Sequence, residues 1–114
     1  MSAPISSNTA PQYTWGQICT GWHLLKTDNL SIIEELMPPA TSEARHQHAK
    51  SHQFFYVLCG ELTLELDGAT HTLRAGEGIE IPPNHPHQAF NRSQSDTRIL
   101  VTSHPPSHGD RVPA

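Results

Sequence analysis

The chain has little charge, few aromatic residues and almost no cysteine. Charged residues make up 16% of its 114 positions, aromatic residues make up 6%, and there are two cysteines. With 7 basic against 11 acidic side chains, it lacks the basic surface that nucleic acids and anionic membranes bind. Two thiols, Cys19 and Cys59, are too few for a disulfide framework. This composition predicts no nucleic-acid partner and favours reduced thiols in a cytoplasmic protein.

Long apolar runs are also missing. No stretch approaches the ~18 consecutive apolar residues that a membrane span requires, so we expect no membrane partner. The opening "MSAPISSNTAPQ" has neither a basic start nor an apolar stretch, which predicts a flexible tail over residues 1–12 and no secretory signal. A chain of this length suits one domain, predicted at 13–104. Residues 105–114 are expected to form a C-terminal tail, irregular or lying along the domain.

Proline and histidine are abundant instead, with ten and nine copies. Ten prolines disfavour a helical fold, and short stretches of strand-forming residues recur between Gly, Pro and Asp-Gly turns. The pattern predicts an all-β sandwich or barrel. The predicted strands are "LSIIEELM" (30–37), "QFFYVLCG" (53–60), "ELTLEL" (61–66), "HTLRAGE" (71–77), "GIEIPP" (78–83) and "DTRILVTS" (96–103).

Histidines at spacing i, i+2 mark one candidate metal site. His46 and His48 point to the same side of an extended chain, and Gln53 begins the next strand after a short turn. His52 neighbours Gln53 and is therefore expected on the opposite face. Far downstream, His87 lies in the proline-bracketed stretch "PPNHPHQAFN". Imidazole nitrogens at such a spacing are typical transition-metal ligands.

Two stretches of the sequence resemble the paired motifs of the cupin superfamily. Residues 40–60, A-TSEAR-HQH-AKSH-Q-FFYVLC-G, follow the first motif, G-x5-H-x-H-x(3,4)-E-x6-G. Residues 76–91, G-EGIEI-P-P-N-HP-H-QAF-N, follow the second, G-x5-P-x-G-x2-H-x3-N. The resemblance implies a jelly-roll barrel, or double-stranded β-helix, that is usually a homodimer. It also implies one divalent metal (Fe, Mn, Ni, Zn or Co) on His46, His48, Gln53 and His87.

Three residues depart from these motifs. Ala40 replaces a glycine, which costs little if its φ angle is negative. Asn84 replaces a turn glycine and tolerates left-handed geometry better than other residues. Gln53 replaces the usual glutamate and, being neutral, leaves the charge of a divalent ion uncancelled. It also removes a possible general base.

The predicted function is Lewis-acid chemistry on a small oxygen-rich molecule, a carboxylate, keto compound or sugar acid. The same ligand pattern resembles the small cupins that open unsaturated uronates in pectin and alginate breakdown. However, those carry an Asp-x-Phe pair and a later arginine where this chain has Val101, Ser103 and Ser107. A metal-dependent dioxygenase and a non-catalytic, ligand-binding or sensory cupin are the alternatives.

Pocket residues beyond the ligands follow from strand parity and position. Phe55 and Val57 share the face of Gln53 and are expected to line the pocket. His85, Arg98 and Arg111 are candidates for the missing acid/base group and carboxylate clamp. The remaining histidines are expected on the surface or in strands.

Overall fold

A computed structural model describes residues 2–114, which form two facing antiparallel β-sheets with no helix in that range. No element of residues 2–114 therefore qualifies as a membrane-crossing helix. The first sheet contains, in spatial order, β1 (Gln12–Trp15), β2 (Cys19–Lys26), β3 (Ser31–Met37), β11 (Thr97–His104), β6 (His52–Cys59) and β9 (Gly78–Ile81). The second contains β12 (Arg111–Pro113), β5 (His46–His48), β10 (His87–Asn91), β7 (Glu61–Leu66) and β8 (Ala69–Arg74), and β4 (Thr41–Ser42) pairs with β10.

This arrangement is a double-stranded β-helix, and the prediction of an all-β jelly-roll barrel is confirmed. Buried residues alternate with exposed ones along β6, so one face of this strand packs against the opposite sheet and the other face points outward. Phe55 and Val57 are buried, as the parity of Gln53 predicted, while Phe54 and Tyr56 lie on the outer face. The core between the sheets is apolar and comes mainly from β6, β7 and β11.

Left-handed backbone occurs at the turns that reverse the chain. Asp67 and Gly68 both have positive φ angles, 52° and 87°, as a tight hairpin between β7 and β8 requires. Asn84 has a φ of 65°, in agreement with its place at a turn glycine. Ala40 also has a positive φ, 63°, so the condition under which its replacement of glycine would cost little is not met. A Cβ atom in this conformation is strained.

Both chain ends join the sheets. Strand β1 begins at Gln12 and pairs with β2, and β12 pairs with β5 along its full length. Asp110 fixes the approach to β12, since its carboxylate accepts hydrogen bonds from the backbone N–H groups of Lys50 and Ser51 at 2.9 and 2.8 Å. The stretch 105–114 thus lies along the second sheet, beside the predicted metal ligands.

Candidate metal centre

Three histidines converge between the sheets. His46 and His87 are register partners on β5 and β10, and His48 is two residues further along β5. One ring nitrogen from each lies within 4.8 Å of the others, and all three residues are at most 5% exposed. Uncharged imidazoles this close can share one ion, so the residues that the i, i+2 pattern singled out do meet His87 in space.

Backbone contacts fix which nitrogen of two rings is free. Nδ1 of His46 lies 2.8 Å from the carbonyl oxygen of Ala44, and Nδ1 of His87 lies 3.0 Å from that of His85. A carbonyl only accepts hydrogen bonds, so Nδ1 carries the hydrogen and Nε2 keeps its lone pair in each ring. Burial lowers the pKa of His46 to about 3, and burial also lowers the pKa of His87. Both rings are therefore neutral and able to act as ligands near neutral pH.

Gln53 approaches from the opposite sheet. It is 4% exposed and its Nε2 donates a hydrogen bond to the Ser103 hydroxyl, 3.0 Å away on β11. The amide oxygen, Oε1, is buried and has no hydrogen-bond partner within residues 2–114. Because the Ser103 contact uses the amide nitrogen, the amide oxygen remains available for another interaction.

The donor atoms fit a metal ion. Within residues 2–114, buried side-chain atoms without a partner include both ring nitrogens of His48, Nε2 of His87 and Oε1 of Gln53. An unpartnered buried polar group costs about 1–3 kcal/mol, and four such atoms in one place are unusual in a stable protein. A cation held by the three histidines, with the glutamine oxygen as a fourth donor, would satisfy one nitrogen of each ring and the amide.

A cavity of about 260 Å³ opens beside this cluster. Its apolar lining comes from four strands of the first sheet, β1, β3, β6 and β11. Its polar lining comes from both sheets and from the stretch before β12. The lining residues are Tyr13, Trp15, Ile33, Glu35, Glu43, His46, His48, Gln53, Phe55, Val101, Ser107, His108, Gly109 and Arg111.

Two carboxyl groups line this cavity that sequence reasoning missed. Glu35 lies on β3, and Glu43 follows β4, where its carboxylate accepts a hydrogen bond from the Ala89 N–H at 3.0 Å. Burial, with a smaller effect of Glu43, raises the pKa of Glu35 from 4.5 to about 8. Burial raises the pKa of Glu43 to about 7, against the effects of the Ala89 hydrogen bond and Arg111. The cavity therefore holds acid/base groups poised near neutral pH.

The other pocket candidates lie in different places. Phe55 and Arg111 border the cavity, whereas Val57 is packed into the core. His85 interacts with Asp67 at the surface, outside the lining. Arg98 lies on the outer face of β11 and pairs with Glu34 at 2.6 Å, because Ile99 and Val101 take the inward positions. His85, Arg98 and Val57 thus do not fit the predicted place at the pocket.

His52 points away from the cluster, as its parity predicted, and lies 2.6 Å from Glu80 at the surface. His108 is exposed, in agreement with its prediction as a surface or strand residue, and its ring also borders the cavity and packs against the Tyr13 and His23 rings.

The chain belongs to the cupin family, since residues 33–103 match the model of the cupin domain. Among curated proteins it is 33% identical over 81 residues to the uncharacterized protein MJ1618 of Methanocaldococcus jannaschii, covering 70% of this chain and 65% of that one. It is 35% identical over 65 residues to the polyketide synthase CurC of Streptomyces cyaneus, covering 57% of this chain and 42% of CurC. The matched stretches therefore span less than two thirds of these relatives.

Among solved structures, the chain is similar to the polyketide cyclase RemF of Streptomyces resistomycificus. The TM-score is 0.80 at 25% identity, over 93% of this chain and 83% of RemF. This chain is thus a small cupin with a three-histidine cluster that could hold a metal.

Proposed function

We propose that this cupin binds one divalent transition metal through His46, His48 and His87, with Gln53 as a fourth ligand. The observation that carries the proposal is that one ring nitrogen of each histidine lies within 4.8 Å of the others, and that the buried, unpartnered amide oxygen of Gln53 belongs to a residue lining the same cavity as His46 and His48. The histidines come from the second sheet and the glutamine from the first, so the ion would lie between the sheets.

We further propose that the protein is an enzyme acting on small keto or enol compounds. A divalent ion at this site would supply a Lewis acid for a carbonyl or enolate oxygen. Because all four proposed ligands are neutral, the residues leave its charge available to anionic or chelating oxygen groups. Ile33, Phe55 and Val101 offer an apolar wall for a carbon skeleton, and Arg111 adds a positive charge at the same cavity.

Within this class we favour ring closure or isomerisation of a molecule with a 1,3-dicarbonyl unit, as found in polyketides. The similarity to CurC and RemF supports this choice, since both are named for polyketide chemistry. The cavity volume, about 260 Å³, lies just below the usual ~300–1,000 Å³ of ligand sites. A small diketone, or one end of a longer chain, therefore suits it.

Metal analysis of the purified protein tests the first proposal. We expect about one transition-metal ion per chain in the wild type and in His52→Ala, the control histidine on the outer face. His48→Ala is expected to bind metal at least 10-fold more weakly, because it removes a direct ligand. Wild-type protein that carries no metal and takes up none of zinc, iron, manganese, nickel or cobalt on titration would overturn the proposal.

A substrate panel then separates the reaction classes. Metal-loaded protein is mixed with 2,4-pentanedione, α-keto acids and unsaturated uronates, and both oxygen uptake and product formation are followed. Turnover without oxygen uptake supports Lewis-acid chemistry. Oxygen consumption in the iron(II) protein supports the dioxygenase alternative, since three histidines can form an oxygen-activating iron site. Binding without turnover of any compound would favour the ligand-binding alternative.

We also propose a homodimer. The outer face of β6 exposes a row of apolar side chains, Phe54, Tyr56 and Leu58, each more than a third accessible. Such a row on a flat sheet is typical of an interface between identical chains. Light scattering of the wild type and of Phe54→Lys tests this, with a dimer and a monomer expected; a monomeric wild type would contradict it.

A further inference from the structure

Glu35 is an acidic residue where the strand pattern calls for an apolar one. Alternate positions of β3 face inward, and the neighbours on that face, Ile33 and Met37, are 3% and 0% exposed. Glu35 occupies the position between them and lines the cavity together with the histidine cluster. A carboxyl group between two buried apolar residues costs stability, so its presence beside a cavity points to a chemical role.

A neighbouring glycine and tyrosine hold this carboxyl group. Gly21 on β2 is the register partner of Glu35, and the ring of Tyr13 lies directly over Gly21. A Cβ atom at position 21 would overlap that ring and come within 2.6 Å of the Tyr13 hydroxyl oxygen. The missing side chain therefore lets Tyr13 cross β2, and its hydroxyl comes close enough to Glu35 to favour the ionised carboxylate. A packing residue would not need such an arrangement.

The charged and titratable groups around Glu35 come from several other parts of the chain, including the Cys19 thiol on β2. Tyr13 belongs to β1, Glu43 follows β4, and Arg111 begins β12. Burial and the charge of Glu43 favour the neutral form of Glu35, while Arg111 and Tyr13 favour the ionised form. The balance places the pKa of Glu35 at about 8, which suits a group that both gives and takes a proton near neutral pH.

We propose that Glu35 is the proton-transferring residue of this cavity, that Tyr13 positions it, and that the substrate has an acidic C–H group next to a carbonyl. This inference rests on the proposed function for its substrate class. In the forward direction the Glu35 carboxylate takes the proton from the carbon between two carbonyls. The C–H bond breaks, its electron pair forms a carbon–carbon double bond, and the π pair of the carbonyl moves onto its oxygen to give an enolate. In the reverse direction the Glu35 carboxylic acid returns the proton to that carbon.

The tautomerisation of 2,4-pentanedione tests the proton transfer. Its enol form is diluted into buffer, and the loss of enol absorbance is followed with zinc-loaded protein. We expect the wild type to accelerate this step and Glu35→Gln to lose about 100-fold or more of the acceleration, a usual share for acid–base catalysis. Glu80→Gln, which removes an exposed carboxylate on β9, is the matched control and should behave like the wild type. Zinc content and circular dichroism show that each variant is folded and loaded.

A carbon-13 NMR titration of labelled glutamate carboxyl groups gives a readout that needs no turnover. We expect one resonance that titrates near pH 8 in the wild type and is absent from Glu35→Gln. In Tyr13→Phe that titration should move to still higher pH, because the lost Tyr13 hydroxyl favoured the ionised form. An ordinary glutamate titration for Glu35, or equal tautomerisation rates for Glu35→Gln and wild type, would overturn the inference.

The two proposals fail differently. If the wild type binds zinc but does not accelerate tautomerisation, the role of Glu35 is refuted while the metal site stands. If the wild type binds no metal, the metal site is refuted. The role of Glu35 is then still decided by the NMR titration and by comparing the tautomerisation rates of metal-free wild type and Glu35→Gln.

Discussion

Replacing Ala40 by glycine is expected to stabilise the protein. Ala40 has a φ of 63° and its N–H donates a hydrogen bond to the Asn91 carbonyl at 3.0 Å, so the turn holds it in the left-handed conformation. That conformation costs a non-glycine residue about 1–2 kcal/mol. Glycine also has more freedom in the unfolded chain, which offsets about 0.4–1 kcal/mol of the stabilisation gained by removing this strain. The net gain is about 0.8 kcal/mol, or about 3 °C in Tm for a domain of this size.

Urea unfolding followed by the fluorescence of Trp15 and Trp22 measures this gain. The matched control is Ala75→Gly, at an exposed turn position that is not among the residues with positive φ. There the same substitution should destabilise by about 0.5–1 kcal/mol, because glycine only adds freedom to the unfolded chain. If Ala40→Gly destabilises as much as Ala75→Gly, the strain argument is wrong.

Three further predictions follow from particular contacts. The unfolding free energy of the wild type should fall as pH rises from about 4.5 to about 8, because the folded state keeps the Glu35 proton that the unfolded chain releases. Denaturation measured across this pH range should show the fall reduced by ~2 kcal/mol or more in Glu35→Gln. An unchanged pH dependence in this variant would contradict the burial of Glu35. Gly21→Ala should destabilise the protein by about 1–3 kcal/mol, because the new Cβ overlaps the Tyr13 ring. Combining it with Tyr13→Ala should recover part of that loss, whereas additive destabilisation by the two substitutions would argue against the contact. Asp110→Ala should weaken the protection of the Lys50 and Ser51 amides in hydrogen exchange by about 1–3 kcal/mol, whereas the amides of β7 should keep theirs.

Local patterns predicted the elements whose structure depends on near neighbours. The alternation of β6 and the Asp67–Gly68 hairpin were readable because side-chain parity and turn geometry are local properties. The histidine cluster was predictable through the motif spacing, which already encodes the pairing of β5 with β10.

The acid/base groups of the cavity depend on distant parts of the chain. Glu35 shares its parity with Ile33, a local signal that was available, but only the pairing of β3 with β11 shows that this face borders the cavity. Tyr13 and Arg111 reach it through the terminal strands, which are too short to show a pattern. Arg98 could have been excluded, because the alternation of β11 places it beside the inward-facing Ile99.

The hydrogen bond between Gln53 and Ser103 also bears on how this site could evolve. A serine hydroxyl both donates and accepts, so it can hold the amide nitrogen of glutamine or one oxygen of a glutamate in the same geometry. Glutamine and glutamate codons differ by a single nucleotide. One mutation could therefore exchange a neutral ligand for an anionic one with no other change in the barrel, and a lineage could move between the two kinds of chemistry without losing the fold.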